Sequence, residues 1–169
     1  MRYLYRKHYS DISNSDFRNE FLDSCSILVL KPHPFNIRLK YETLNMKQCL
    51  SRLYFWLITF GRYRIYFLCH GSDIVHSSFV VPKCYKFPFL RSVDYEIGPC
   101  VTSSDYRRRG SYTYVLDYIT SCYEFKDAEF YMIVNNTNKP SIKGIEKAGF
   151  EKCGTVRKTK FFNKYKLEN

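Results

Sequence analysis

The sequence predicts one α/β (α+β) domain over residues 1–169, with a central mixed, twisted sheet of about seven strands flanked by about four helices. Two observations lead to this expectation. Strand-like and helix-like segments alternate in the second half of the chain, and a run of three strand-like segments precedes them. A length of 169 residues and a hydrophobic content of 45% suit a single domain with its own core.

The first third of the chain predicts a strand and two helices. Tyr3 to Arg6 alternates weakly and is taken as the first strand. Capping residues and a four-residue apolar spacing predict a short helix from about Ser15 to Ser24, whereas the apolar run Ser26 to Leu30 stays unassigned. Apolar residues from Met46 to Leu57 recur at three- and four-residue spacing, which indicates an amphipathic helix ending near Gly61.

Three strands are predicted next. Arg62 to Cys69 and Ile74 to Val81 flank a turn sequence, His70-Gly71-Ser72-Asp73, so they predict a hairpin. Val93 to Thr102 predicts the following strand. We expect Gly98-Pro99 to distort that strand, because proline donates no hydrogen bond and glycine often marks a bulge.

The second half continues with alternating elements. Gly110 to Phe125 predicts a helix, and Phe130 to Val134 predicts a buried strand. Lys139 to Ala148 predicts another helix, with proline in its first turn and glycine after its end. Two further strands, Phe150 to Val156 and Lys160 to Leu167, complete the prediction.

The charge and the hydropathy limit the function classes. The chain has 27 Lys and Arg against 16 Asp and Glu, a net charge of +11. Such a balance favours anionic partners such as nucleic acid, acidic membranes or phosphorylated small molecules, although a generally solvated basic surface explains it as well. The longest apolar run, Leu53 to Phe60, falls short of the ~20 residues that span a bilayer. Without a signal-like N-terminus, we expect a cytoplasmic protein that does not enter the membrane.

The cysteines point to a reducing compartment rather than to a metal. The sequence has seven of them, with no C-x-x-C pair and no histidine at zinc-ligand spacing. We therefore expect free thiols and no metal site.

One stretch, Ser104 to Leu116 (SDYRRRGSYTYVL), has the features of an anion site. A predicted strand ends before it, three arginines and a glycine form a turn, and a predicted helix follows. The first N–H groups of a helix lack internal partners and favour an anion, and the glycine allows close approach of a phosphate. Arginines add charge-assisted hydrogen bonds. The stretch therefore predicts a pyrophosphate site, with simply solvated arginines as the competing interpretation.

At these residues the chain resembles the GNAT superfamily of acyl-CoA-dependent N-acetyltransferases. The family's phosphate loop reads Q/R-x-x-G-x-G/A, and here it is Arg107-Arg108-Arg109-Gly110-Ser111-Tyr112. A second family block, N-x-x-A/S-I followed by E-K-x-G-F, is matched by Asn138-Lys139-Pro140-Ser141-Ile142 and then Glu146-Lys147-Ala148-Gly149-Phe150. The resemblance covers the chain from about Val93 onward, with a cofactor-binding core at about 93–156.

The resemblance implies acetyl-CoA as the acyl donor, held between two splayed parallel strands. It implies that the strand backbone at Cys100, Val101 and Thr102 pairs with the pantetheine arm. The implied pyrophosphate contacts come from Arg107, Arg108, Arg109, Gly110, Ser111, Tyr112 and Thr113. Asn138 would contact the pantetheine arm with Ser141 close by, although the former could serve only as a helix cap and the latter could merely occupy the first helical turn.

The sequence departs from the family pattern at two positions. Tyr112 stands where the loop has its second glycine or alanine, so its ring should narrow the approach to the phosphates unless it points away. Ile145 stands where many members have the tyrosine that protonates the leaving thiolate, and isoleucine cannot donate a proton. No replacement for this acid is evident in the sequence.

The resemblance also suggests how transfer would proceed. Glu96 lies eleven residues before Arg107, where some members carry the general base, although an ordinary structural carboxylate is an equally open interpretation. Backbone N–H groups near Cys100 or Val101 would stabilise the oxyanion. Direct transfer in a ternary complex is expected, because no covalent nucleophile is evident.

The acceptor is less well defined. We expect a small-molecule amine, such as a phosphorylated or nucleotide-linked amino sugar. The reason is that aromatic and basic residues occupy the regions that bind the acceptor in the family. An acidic peptide would also suit such residues. These residues are His33, Phe35, Arg38, Tyr41, Tyr54, Trp56, Arg157, Lys158, Lys160 and Phe161, and they could equally be core aromatics and surface cations.

Two other functions stay open. A member that binds coenzyme A without catalysis is motivated by Ile145 and Tyr112. A basic nucleic-acid-binding protein is disfavoured, since no RNP, zinc-finger or helix-turn-helix pattern is present. The oligomeric state is not determined, with a homodimer as one option.

Overall fold

A computed structural model describes residues 1–9, 17–31, 46–160 and 163–168. Several expectations lie outside these residues, namely the start of the first predicted helix near Ser15 and the roles suggested for His33, Phe35, Arg38, Tyr41 and Phe161.

The described residues form an α/β structure with one mixed eight-stranded sheet and four α-helices, which confirms the predicted fold class. The strands run in the spatial order β2-β3-β4-β5-β6-β1-β7-β8. Their bounds are β1 Arg2–His8, β2 Ser26–Leu30, β3 Arg64–His70, β4 Asp73–Pro82, β5 Tyr95–Thr102, β6 Glu129–Asn135, β7 Glu151–Lys158 and β8 Tyr165–Glu168. The helices are α1 Glu20–Asp23, α2 Met46–Thr59, α3 Ser111–Thr120 and α4 Lys139–Lys147.

The N-terminal strand lies in the interior of the sheet. It pairs antiparallel with β6 on one side, where Leu4 faces Ile133, and with β7 on the other, where Leu4 faces Gly154. Leu4 and Tyr5 are each 2% exposed. The strand joins β6 to the C-terminal hairpin formed by β7 and β8.

Two apolar clusters cover the two faces of the sheet. Because side chains alternate along a strand, Phe130 and Met132 of β6 belong to the cluster beneath α3 and α4. Tyr131 and Ile133 contact the other cluster, which contains Phe55 of α2. We refer to these as the α3/α4 face and the α2 face.

The two parallel strands at the centre separate soon after they meet. Strands β5 and β6 pair at only two positions, Tyr95 with Phe130 and Glu96 with Tyr131. On its other side, β5 shows a register shift against β4 between Ser78 and Val80, where three steps along β5 oppose two along β4. The shift spans Gly98-Pro99, so the expected distortion is confirmed. Beyond Glu96, the β6-facing backbone of β5 is left without a strand partner in the described sheet.

The structure corrects several element boundaries. The unassigned run Ser26–Leu30 is strand β2, which raises the strand count from about seven to eight. Helix α3 ends at Thr120 instead of Phe125, because the hydroxyls of Thr120 and Ser121 donate to backbone carbonyls within the last turn and compete with helix propagation. Helix α1 begins only at Glu20, where the Asn19 side chain accepts from the Leu22 N–H.

The last strand is also shorter than expected. Strand β8 covers only Tyr165–Glu168, whereas the sequence predicted it from Lys160. The Thr159 N–H donates to the Lys164 carbonyl just before this strand begins.

The described part of the chain shows no group of three or more His, Cys, Asp or Glu residues that could hold a metal ion. Within the same residues, no helix has the length and apolar character needed to cross a bilayer. The cysteines whose side chains are described are free: Cys25, Cys69, Cys84, Cys100, Cys122 and Cys153.

Candidate active site

The phosphate loop of the sequence forms one end of a large cavity. Strand β5 ends at Thr102, a short 3₁₀ turn follows, and α3 begins at Ser111 with Gly110 as its N-cap residue. Gly110 has φ of 83°, which glycine adopts without the steric cost of a side chain. The cavity measures about 720 Å³ and is lined here by Arg107, Arg108, Gly110 and Ser111.

Ser111 shows that this end of the cavity suits a phosphorylated ligand. Ser111 is 2% exposed, and its hydroxyl oxygen is buried without a hydrogen-bond partner among the described residues. A buried hydroxyl without a partner is costly, so this one suits a ligand that can form a hydrogen bond with it. The N–H groups in the first turn of a helix have no partner within the helix, so those at the start of α3 also favour an anion here. The residues present therefore fit the pyrophosphate of a coenzyme A.

The three arginines do not share one role. Arg107 and Arg108 line the cavity, whereas Arg109 does not. The guanidinium carbon of Arg109 lies 4.7 Å from the ring centre of Phe21 and 5.6 Å from that of Tyr106. Its carbonyl accepts from the Asn19 side-chain amide at 3.3 Å. Arg109 thus connects the loop to α1. The sequence had predicted that it contacts the pyrophosphate, but its side chain lies outside the cavity lining.

The cavity continues along β5 to the start of α4. Cys100, Val101, Thr102 and Thr113 line it, together with Asn138 and Ser141. The Asn138 side-chain oxygen accepts from the Ser141 N–H at 3.3 Å and caps α4. The two interpretations of Asn138 are therefore compatible, since the capping residue also lines the cavity.

Sequence reasoning missed a chain of hydrogen-bonded side chains beside this cavity, three of which, His76, Cys100 and Thr102, line it. His76 Nδ1 lies 2.7 Å from the Thr102 hydroxyl and its Nε2 lies 2.8 Å from the Ser78 hydroxyl. Ser78 donates in turn to Cys100 Sγ at 3.2 Å. Because the Ser78 proton is used there, His76 Nε2 must be the donor to Ser78 and Nδ1 the acceptor from Thr102.

The same environment keeps both titratable members of the chain uncharged. Burial lowers the pKa of His76 to about 4, and it raises the pKa of the Cys100 thiol to about 12. A thiol held in this form is a poor nucleophile, which agrees with a backbone role for Cys100. Only the pairing of β4 with β5, which places His76 opposite Thr102, could have revealed this cluster.

Tyr112 is accommodated by a glycine on the neighbouring helix. A Cβ atom added at Gly144 of α4 would lie 2.6 Å from Tyr112 Cδ1, so the ring lies directly against the α4 backbone. The ring reaches the junction of the large cavity with a second, smaller one. Ile145, the next residue of α4, is 1% exposed and belongs to the core beneath α3 and α4.

The second cavity measures about 390 Å³ and occupies the opening between β5 and β6. It shares Cys100, Tyr112, Asn138 and Ser141 with the first cavity, so the two meet at the splayed strands. Phe55, Ile133 and Tyr165 of the α2 face line it together with Lys86 and Glu96, and Ile97, Met132 and Ile145 of the α3/α4 face line it as well.

Glu96 lies in this second cavity and not beside the phosphate loop. It follows Tyr95, which packs on the α3/α4 face, and alternation therefore directs Glu96 to the α2 face. Its carboxylate approaches the backbone closely, since a Cβ at Gly98 would lie 2.7 Å from Glu96 Oε1. Burial raises the pKa of Glu96 to about 8, opposed by the nearby charge of Lys86.

Lys86 is a second residue that sequence reasoning missed. Its ammonium lies 5.1 Å from the ring centre of Phe55, 5.2 Å from that of Phe87 and 5.9 Å from that of Tyr165. Burial lowers the pKa of Lys86, and the charge of Glu96 opposes this shift. Nothing local in the sequence indicated that this lysine would be partly buried among aromatic rings.

The architecture of the described residues is similar to that of three solved structures named as GNAT proteins. The chain is similar to a GNAT-family acetyltransferase from Colwellia psychrerythraea, with a TM-score of 0.57, 11% identity and coverage of 90% of this chain and 52% of the other. A GCN5-related N-acetyltransferase-like protein from Streptococcus suis gives 0.52 and 13%, covering 90% and 59%. A tandem GNAT protein from the clavulanic acid biosynthesis pathway gives 0.51 and 15%, covering 89% and 50%.

These similarities show that the chain has the GNAT fold. The chain spans only about half the length of these solved structures. No protein-family model matches the sequence, and no curated protein matches it either.

Proposed function

We propose that the protein is an acyl-CoA-dependent N-acetyltransferase that uses acetyl-CoA. The observation that carries this proposal is the meeting of two cavities where β5 and β6 separate. One cavity ends at a helix N-terminus with two arginines and a buried hydroxyl that has no hydrogen-bond partner in the part of the chain that the structure describes. The other contains a carboxylate whose pKa lies near neutrality.

The residues that would hold the acyl donor follow from the first cavity. Arg107, Arg108, Ser111 and the α3 N–H groups would bind the pyrophosphate, and the unpaired backbone of β5 at Cys100 to Thr102 would pair with the pantetheine arm. Acetyl-CoA, when bound, supplies an acetyl group activated as a thioester. The Asn138 side chain lies where the two cavities join and would orient the arm there.

Glu96 would act on the acceptor from the other side of the opening. An amine is a nucleophile only after it loses its proton, and a carboxylate with a pKa close to the working pH is suited to accept it. Because Glu96 belongs to the α2 face, the amine would enter from that face and the acyl donor from the α3/α4 face. Direct transfer fits this arrangement, since the Cys100 thiol stays protonated.

Acetyl-CoA binding, measured by calorimetry, tests the first half of this proposal. We expect micromolar binding to the unaltered chain. Removing both cavity-lining cations in the Arg107→Ala, Arg108→Ala variant should weaken it about tenfold or more, because each loses a charge-assisted hydrogen bond. Arg109→Ala is the matched control, since its guanidinium contacts Phe21 instead, and we expect little change.

Either of two results would contradict the proposal. Absence of binding to the unaltered chain at moderate salt would remove acetyl-CoA as the donor. A loss of affinity in Arg109→Ala as large as that in the double variant would show that general positive charge, and not the residues lining the cavity, attracts the ligand.

A second candidate function is coenzyme A binding without catalysis. The buried Ile145 favours it, because α4 presents no proton donor at that position. Release of free thiol from acetyl-CoA in the presence of a broad amine panel distinguishes the two functions, since the non-catalytic protein would bind the donor and release none.

A further inference from the structure

The acceptor side of the site contains a fixed cation. Rings from three different segments surround the Lys86 ammonium: Phe55 of α2, Phe87 of the loop after β4, and Tyr165 of β8. The Phe87 and Tyr165 rings stack on each other with centres 5.6 Å apart, which holds the aromatic wall in place. Cation–π contacts of this kind fix the position of the ammonium without neutralising its charge.

This cation has no full ionic partner. No carboxylate of the described residues lies within 4 Å of Lys86, although ion pairs of this length occur elsewhere, for example Lys7 with Asp117 at 3.3 Å. Nearby Glu96 raises the pKa of Lys86, whereas two further cations, Arg2 and Lys158, lower it. Lys86 lines this end of the cavity, and without a carboxylate within 4 Å among the described residues it can pair with the anion of a ligand.

Glu96 and Lys86 line the same cavity but do not form a salt bridge. The cavity of about 390 Å³ is in the size range of small-molecule sites. A ligand with an amine at one end and an anion at the other can therefore lie between them. Its amine would face Glu96 at the opening of the sheet, and its anion would replace solvent at Lys86.

We propose that the acceptor is an amine that also carries a carboxylate, as in an amino acid, and that Lys86 binds this carboxylate. This inference rests on the proposed function. Among the described residues, Lys86 is the single cation that lines the cavity. It therefore matches the single charge of a carboxylate better than a phosphate monoester, which carries −1.5 to −2, about twice as much. Phe55 and Tyr165 line the same space and would favour an apolar or aromatic side chain.

The test compares matched amines in an assay for thiol release from acetyl-CoA. The panel contains the standard amino acids, their amides and the amines left after removal of the carboxylate, with phenylalanine, phenylalaninamide and phenethylamine as one series. We expect kcat/KM for the preferred acid to exceed that of its amide by about tenfold or more, because the amide leaves Lys86 unpaired. In Lys86→Met this ratio should fall to about one.

Lys83→Met is the matched control, since Lys83 lies in the same loop and is exposed. It should keep the acid-to-amide ratio of the unaltered chain. Circular dichroism of Lys86→Met tests whether the aromatic wall still folds. A second measurement, calorimetric binding of the acid to the unaltered chain with coenzyme A present, does not depend on that variant.

The inference is overturned if acid and amide react equally, if the preference survives in Lys86→Met, or if a phosphonate analogue of the acid is preferred. It is also overturned if no acid in the panel is acetylated while another amine is. These results leave the proposed function standing. Failure of acetyl-CoA to bind, or failure of every amine, contradicts the proposed function instead.

Discussion

Single residues at the opening of the sheet control how this protein should respond to pH. Glu96 is 7% exposed and its pKa is raised from 4.5 to about 8. The folded state therefore binds the Glu96 proton more tightly than the unfolded state does. Between these two pKa values the unfolded state carries fewer protons at this position, so stability falls as pH rises.

We expect Glu96→Gln to remove this loss, because glutamine stays neutral at every pH. The gain in unfolding free energy over the unaltered chain should increase as pH rises from about 4.5 to about 8, reaching at least about 1 kcal/mol. Urea unfolding at a series of pH values measures it. If Glu96 accepts the proton of the amine, the same variant also loses the rise of kcat/KM with pH and about 10²-fold or more in activity.

Glu151→Gln is a suitable control, because Glu151 is exposed on β7. The difference in unfolding free energy between Glu96→Gln and the unaltered chain could instead be constant with pH. That result would show that Glu96 has the same pKa in the folded and unfolded states.

The residue scale also shows how far sequence reasoning reached into the site. Both cavities are lined by residues from the two motif blocks, so the loop at Arg107 and the cap at Asn138 were accessible from local sequence. The sequence predicted a pyrophosphate contact for Arg109, whereas the structure places its guanidinium against Phe21 and Tyr106. A run of three arginines does not reveal which of them packs on an aromatic ring. His76 and Lys86 carried no signal, since their environment comes from distant segments.

At the scale of elements, the contact between α3 and α4 depends on one glycine. Adding a methyl group at Gly144 would bring it within 2.6 Å of Tyr112 Cδ1 and 3.0 Å of Cε1. Alanine normally stabilises a helix by about 1 kcal/mol relative to glycine. Here we expect the opposite sign for Gly144→Ala, a destabilisation of about 1–3 kcal/mol, because α4 must move away from the ring.

Chemical denaturation measures the effect, and a double-mutant cycle assigns it. Combining Gly144→Ala with Tyr112→Ala should recover most of the loss attributable to the clash. Gly154→Ala on β7 is the comparison, since nothing lies within 4 Å of a Cβ there, and it should be neutral or slightly stabilising. Additive effects of the two α3/α4 changes would contradict this account.

For the whole molecule, the decisive feature is the position of β1. This strand is bonded on both sides, to β6 and β7, whereas β8 pairs only with β7 among the described strands and lies at the edge of their sheet. Deleting residues 1–8 should therefore abolish cooperative unfolding, because it removes two buried core residues, Leu4 and Tyr5, and separates β6 from the C-terminal hairpin. Deleting residues 165–168 should leave a folded chain of lower stability.

A synthetic peptide of residues 1–9 provides the sharper measurement. If the space between β6 and β7 is specific for this strand, the peptide should restore the near-ultraviolet circular dichroism of the shortened chain, and a peptide with Leu4→Asp should not. Similar stability of the two deletion variants would show that the interior position of β1 contributes little.

The sequence by itself determined the local elements and the motif blocks. Helices α2 and α4, the β3–β4 hairpin, the distortion in β5 and the loop before α3 all follow from periodicity, capping and turn residues within a few positions of each other. Only the tertiary structure placed β1 between β6 and β7 and brought Lys86 and Glu96 into one cavity. The physical reason is that pairing between strands more than a hundred residues apart depends on register and burial across the sheet, and no short stretch of sequence encodes either.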